Sequence, residues 1–141
     1  MSNGPRPSQL CLLSALPLRK VGDKVRFLGC VLSYSPATGV LTLQHHLQED
    51  ASPVLVLVDV NLVLESLGAD QTRVGEWVNV IGYITAIASM SDGKGPLHGS
   101  PRVNVQAILL WSSGPLDVPR YEESVKALNT EESTDSRPRG T

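Results

Sequence analysis

The sequence predicts an all-β fold, one small closed barrel of five strands with a helix after it. The first observation behind this is a template used twice: Val21-Gly22-Asp23-Lys24-Val25-Arg26-Phe27-Leu28-Gly29-Cys30-Val31 and Val74-Gly75-Glu76-Trp77-Val78-Asn79-Val80-Ile81-Gly82-Tyr83-Ile84. Each copy opens Val-Gly-acid, which suits a tight turn. Each then carries a second glycine inside an apolar strand run, which marks the bend or bulge of a barrel corner. The second observation is that only two copies occur, with unlike sequence between them, whereas a solenoid needs at least about three units to bury its faces. The third is the order of the apolar runs, which read strand, strand, strand, helix, strand, strand.

Residues 1–9 contain Gly4, Pro5 and Pro7 among polar neighbours and are expected to stay loose. Leu10, Leu12, Leu13 and Leu16 then suit a short helix or extended segment covering one end of the core, with Pro17 stopping any helix. From Lys24 to Ser35 apolar residues fall on both faces, Val25, Phe27 and Val31 on one and Leu28, Cys30 and Leu32 on the other. A strand buried on both sides is expected to be long and curled. Pro36-Ala37-Thr38-Gly39 reads as a turn into a second strand, Val40 to Gln44, and the third strand runs from Val54 to Val58 after a polar loop.

Asp59 is placed to cap a helix that puts Val60, Val63, Leu64 and Leu67 on one face, and Gly68 suits its stop. Strand four spans Trp77 to Ile87, a glycine- and proline-rich loop spans Ser89 to Pro101, and strand five spans Arg102 to Trp111. This order, with bends in strands one and four, is the layout of the five-stranded Greek-key barrel called the OB-fold. A last segment from Asp117 to about Asn129 has Val118, Tyr121, Val125 and Leu128 at helical spacing, with Glu122, Glu123 and Lys126 on other faces. The barrel is complete without this helix, so its apolar stripe needs either its own barrel or a second chain. The boundaries that follow are 1–9, 10–112 for the barrel, 113–129 for linker and helix, and a polar tail over 130–141, expected to be disordered.

Composition narrows the function. The chain has 141 residues, 41% hydrophobic and 18% charged, with a net charge of −2, a globular balance without the basic excess of a dedicated nucleic-acid binder. Aromatics amount to 4%, so few stacking platforms exist for unpaired bases. Two cysteines without CxxC spacing fit a reducing, intracellular compartment. The longest apolar runs are far too short to cross a bilayer.

An OB-fold binds ligands across its second and third strands and between the loops after strands one and four. Arg26, Tyr34, Tyr83, Lys94 and Arg102 are the candidates for tracking a phosphate backbone, against the plainer reading that isolated charges solvate a face. His45 and His46 are adjacent in a strand, point to opposite faces and cannot readily share a metal ion. His98 and Gly93-Lys94-Gly95 lie in a loop that lacks the strand-loop-helix setting of a phosphate cradle. Trp77 and Trp111 read as core or rim residues, and Cys30 as a small core residue. No Ser/His/Asp order, Gly-rich phosphate loop or helix-borne carboxylate pair suited to catalysis appears, so no enzyme and no cofactor is expected.

Leu13-Ser14-Ala15-Leu16-Pro17 and the two glycine-centred strands resemble the fungal Ten-one type of telomere-capping protein, the smallest subunit of the CST (Cdc-thirteen, Stn-one, Ten-one) complex. The likeness covers about residues 10–112. It implies a single OB-fold that pairs with the Stn-one subunit, as the two smaller subunits of replication protein A pair, and that joins a larger third subunit. In such pairs the C-terminal helices pack together, which places Val118, Tyr121, Val125 and Leu128 at the partner surface. The resemblance further implies a nuclear, telomeric location and help in gripping the single-stranded G-rich overhang. It implies no catalysis, no small-molecule substrate and no membrane. The acidic balance and sparse aromatics agree with an assisting role, with weak binding of single strands by the chain alone. The competing readings are a stand-alone single-strand-binding OB module and an enzyme's accessory domain.

Overall fold

The structure is a computed structural model and describes residues 7–45, 54–88, 101–114 and 118–135. Its strands are β1 (Gln9–Leu10), β2 (Lys24–Ser35), β3 (Val40–Gln44), β4 (Leu55–Asp59), β5 (Trp77–Ala88) and β6 (Arg102–Ser112), with helices α1 (Ala69–Thr72) and α2 (Val118–Asp135). The sheet order is β1-β2-β3-β4-β6-β5, and a further β2–β5 pairing closes β2 to β6 into a barrel. β4 and β6 run parallel, while the other barrel neighbours run antiparallel. The short β1 lies parallel beside the start of β2. This is the expected OB-fold, with residues 31–35 of β2 and 84–88 of β5 extending past the seam that closes the barrel.

The repeated template is what closes it. Asp23 N–H donates to Lys20 O at 3.0 Å and Glu76 N–H to Arg73 O at 3.1 Å, so each Val-Gly pair forms the centre of a β-turn. Gly22 and Gly75 have φ of 95° and 94°, the left-handed third position of a type II turn. Each turn then clamps the far end of the other copy. Gly22 N–H donates to Ile84 O at 2.7 Å and Ile84 N–H to Asp23 O at 3.0 Å, while Gly75 N–H donates to Val31 O at 2.9 Å and Val31 N–H to Glu76 O at 2.8 Å. Between the clamps Lys24 faces Tyr83, Phe27 faces Val80 and Cys30 faces Trp77. The two copies are thus antiparallel neighbours related by a local two-fold axis at Phe27 and Val80.

The second glycine of each copy is required by close approach. A Cβ on Gly82 would collide with the carbonyl oxygen of Gln106, and one on Gly29 would stand 2.9 Å from the Leu43 Cβ. The β5–β6 register shifts between Ile81 and Gly82, so Gly82 sits at a bulge, as the sequence predicts. In β2 the shift falls later, between Val31 and Ser33.

β2 is long and serves two partners, β5 over Lys24–Cys30 and β3 over Cys30–Ser35. Its Val25, Phe27 and Val31 enter the core, which Leu41, Val58, Val80 and Val105 continue around the barrel. Leu28 and Cys30 are buried yet stand apart from that core. They point outward, because strand side chains alternate, so something covers the outer face.

Local differences from the sequence reading have local causes. A 3₁₀ helix over Leu13–Leu18 covers one end of the core with Leu13 and Leu16, and Pro17 lies inside it instead of ending it. Its turns close through Ala15 N–H to Leu12 O and Arg19 N–H to Leu16 O, so proline's missing N–H falls between two bonds that exist. The helix after β4 is a 3₁₀ helix over Asn61–Ser66, kinked at Val63. Asp59 Oδ1 accepts from the Asn61 N–H at 2.9 Å, Val60 and Val63 are buried, and Leu64 is exposed. Gly68 opens α1 instead of ending one long helix, with its N–H donating to Gln71 Oε1 at 2.7 Å. β4 begins one residue later than expected, at Leu55. α2 continues to Asp135, past the expected end near Asn129, because no glycine or proline interrupts it there.

Candidate partner and nucleic-acid surfaces

α2 meets the barrel where Tyr121 comes near Arg26 of β2 and where Glu122 reaches His45. Val125 is 1% exposed, and Tyr121 is half-buried with a hydroxyl that has no hydrogen-bond partner among the described residues. Burial pushes the Tyr121 phenol up, and the charge of Arg26 pulls it partly back. The Arg26 guanidinium sits 5.4 Å from the Trp111 ring centre, within cation–π range. Leu128, one turn beyond Val125, is 47% exposed. The predicted apolar stripe therefore divides between a half that packs on this chain's own barrel and an end that faces outward. The Val118 side chain lies outside the described residues.

His45 and Glu122 hold the helix where β3 ends and β5 begins. His45 Nε2 is 2.5 Å from Glu122 Oε2, and the two side chains are 1% and 16% exposed. The His45 ring meets Trp77 edge-on at 5.5 Å. Its Nδ1 is enclosed without a hydrogen-bond partner among the described residues. Sequence reasoning weighed His45 only as a metal ligand beside His46, and placed Glu122 off the apolar stripe. No local signal links two residues 77 positions apart.

The five nucleic-acid candidates do not gather on one surface. Arg26 is exposed over the Trp111 ring, close enough to Tyr121 of α2 to affect its phenol. Tyr83 is exposed opposite Lys24, on the same outer face as Arg26. Tyr34 packs against the barrel core beyond the β2 bulge. Arg102 begins β6 opposite Leu55 and Ala88, with its Nε enclosed. Lys94, with His46, His98 and the expected mobile loop at 89–100, lies outside the described residues, as do residues 46–53, 1–6 and the tail from 136.

Chemistry elsewhere is sparse. Burial pushes the Cys11 thiol up, partly offset by Arg19, and burial together with Glu76 pushes up Cys30. Both thiols are therefore poor nucleophiles. Among the described residues no cluster of three metal-ligating side chains occurs, and no helix is long and apolar enough to cross a membrane.

Against this geometry, the family model of Ten1, described as telomere capping, CST complex subunit, matches residues 1–126. The chain belongs to the Ten1 family. Among solved structures, the Stn1–Ten1 complex of S. pombe is similar at 28% identity and a TM-score of 0.65, over 90% of this chain and 96% of that one. The telomere capping protein Ten1 of S. pombe is similar at 28% identity and a TM-score of 0.63, over 88% and 99%. Replication protein A of U. maydis bound to ssDNA, at 20% identity and a TM-score of 0.53 over 90% and 94%, shares the fold. A search of curated proteins finds no match. As a Ten1 family member the chain carries the family's role in telomere capping as a CST complex subunit, and the resemblance in its two glycine-centred strands is accounted for.

Proposed function

We propose that this chain is the non-catalytic OB subunit that pairs with the Stn1 subunit, joins the larger CST subunit, and supports binding of telomeric single-stranded DNA in the nucleus. The observation that carries the reading is similarity to the S. pombe Stn1–Ten1 complex across nearly the full length of both chains. The exposed Leu128 on the docked helix supports a partner surface there. Val125 and Tyr121 act on that surface from beneath, by fixing the helix. The packing of Tyr34 against the core and the position of Arg26 beside Trp111 support an assisting role in DNA binding over a stand-alone one.

Fluorescence anisotropy with a G-rich telomeric strand tests the division of labour. The chain alone is expected to bind weakly and to lose binding steeply with salt, and the pair with the Stn1 subunit to bind more tightly. Tight, salt-resistant binding by the isolated chain would instead favour an independent single-strand-binding module.

A further inference from the structure

We propose that His45 and Glu122 form a buried latch that positions α2 on the barrel, so that the docked helix presents Leu128 to the partner. The inference rests on the heterodimer reading for its functional half and on this chain's geometry alone for the latch. His45 follows β3, Trp77 opens β5, and Glu122 comes from α2, so one imidazole joins the end of β3 and the start of β5 to the helix.

The burial pattern makes docking and latching a single event. The His45 side chain is 1% exposed, and with Nδ1 enclosed and without a partner among the described residues, Glu122 supplies the hydrogen-bond partner of its other nitrogen. Of the two imidazole nitrogens, Nε2 would be uncovered if Glu122 left with α2. If α2 stayed while Glu122 lost its carboxylate, both would be buried and unpaired, which is the costly case for a polar group. Of the apolar stripe, Val125 and part of Tyr121 are committed to the barrel, while Leu128 faces outward.

The latch has a sign-specific test. Glu122→Leu strands His45 and His45→Leu strands Glu122, so each single variant should release α2. The double variant His45→Leu with Glu122→Leu replaces both partners by apolar groups and should restore docking. Hydrogen–deuterium exchange on the full chain reads this directly. Each single variant should speed exchange of α2 amides roughly tenfold or more, the double variant should return them close to wild type, and β2 and β5 amides should stay protected throughout. Recovery in the double variant is a result that generic loss of packing does not give.

Titration against the Stn1 subunit of the same organism supplies the functional half. Weaker binding by the single variants and recovery in the double variant is the expected result. Unchanged α2 exchange in the single variants, or losses that add in the double variant, would overturn the latch. Tighter binding by the single variants would overturn the positioning role and mean that α2 must leave the barrel to pair. If the wild-type chain fails to bind the Stn1 subunit, the heterodimer reading fails, while the exchange data still judge the latch.

Discussion

Phe27 faces Val80 across the local two-fold axis that relates the two copies of the Val-Gly-acid template. A sequence repeat of this kind usually announces stacked units, but here the copies run antiparallel and bond to each other. Each turn holds the last strand residue of the other copy, Ile84 by the first turn and Val31 by the second. The repeat is therefore the device that seals the barrel. Phe27 is fully buried at its centre.

The glycines of the template should rank by mechanism. Gly82→Ala drives a Cβ into the Gln106 backbone, which cannot move without opening the β5–β6 ladder, so it should cost about 2–3 kcal/mol or more. Gly22→Ala meets nothing within 4 Å and suffers only from a φ of 95°, for about 1–2 kcal/mol. Urea denaturation of the two variants checks the order, and equal losses would remove the close-approach argument.

Val125 and Leu128 should separate stability from assembly. Val125→Ala removes a side chain buried under α2 and should loosen the helix in the isolated chain, seen as lost helical signal at a lower temperature than barrel melting. Leu128→Ala alters an exposed residue, so the isolated chain should melt as wild type while affinity for the Stn1 subunit falls by about tenfold, in the range of an interface anchor. A Leu128 variant that melts early would place that residue in the fold instead.

High pH should destabilise the chain. Cys11, Cys30 and Tyr121 all have raised values in the folded state, in each case first because burial disfavours the anion. The unfolded chain therefore releases these protons first, and stability that is complete below the ordinary thiol value of 9.0 declines as pH climbs above it. Denaturation midpoints measured from neutral to alkaline pH should fall, and a variant with Cys11→Ser and Cys30→Ser should fall less. For the same reason alkylation of both thiols should be slow in the native protein at neutral pH.

Much of the barrel was legible because its signals are local. Lys24–Ser35, apolar on both faces, and the alternating Val40–Gln44 appear with the bounds the sequence predicts, and Gly82 sits at a bulge. The 3₁₀ helices were harder, since Pro17 and Gly68 carry opposite meanings depending on which few hydrogen bonds the turn uses. The helix face was half legible: spacing selects Tyr121, Val125 and Leu128, but says nothing about which of them the barrel already covers. The His45–Glu122 contact was invisible, because it depends on how α2 crosses the end of β3 and leaves no periodic trace.

The central claim is that this Ten1 family member works as one half of a pair. Light-scattering mass of the chain alone, of the Stn1 subunit alone and of their mixture tests it most directly. A monomer that converts to a one-to-one complex on mixing is the expected result. Two species that keep their separate masses at micromolar concentration would contradict it.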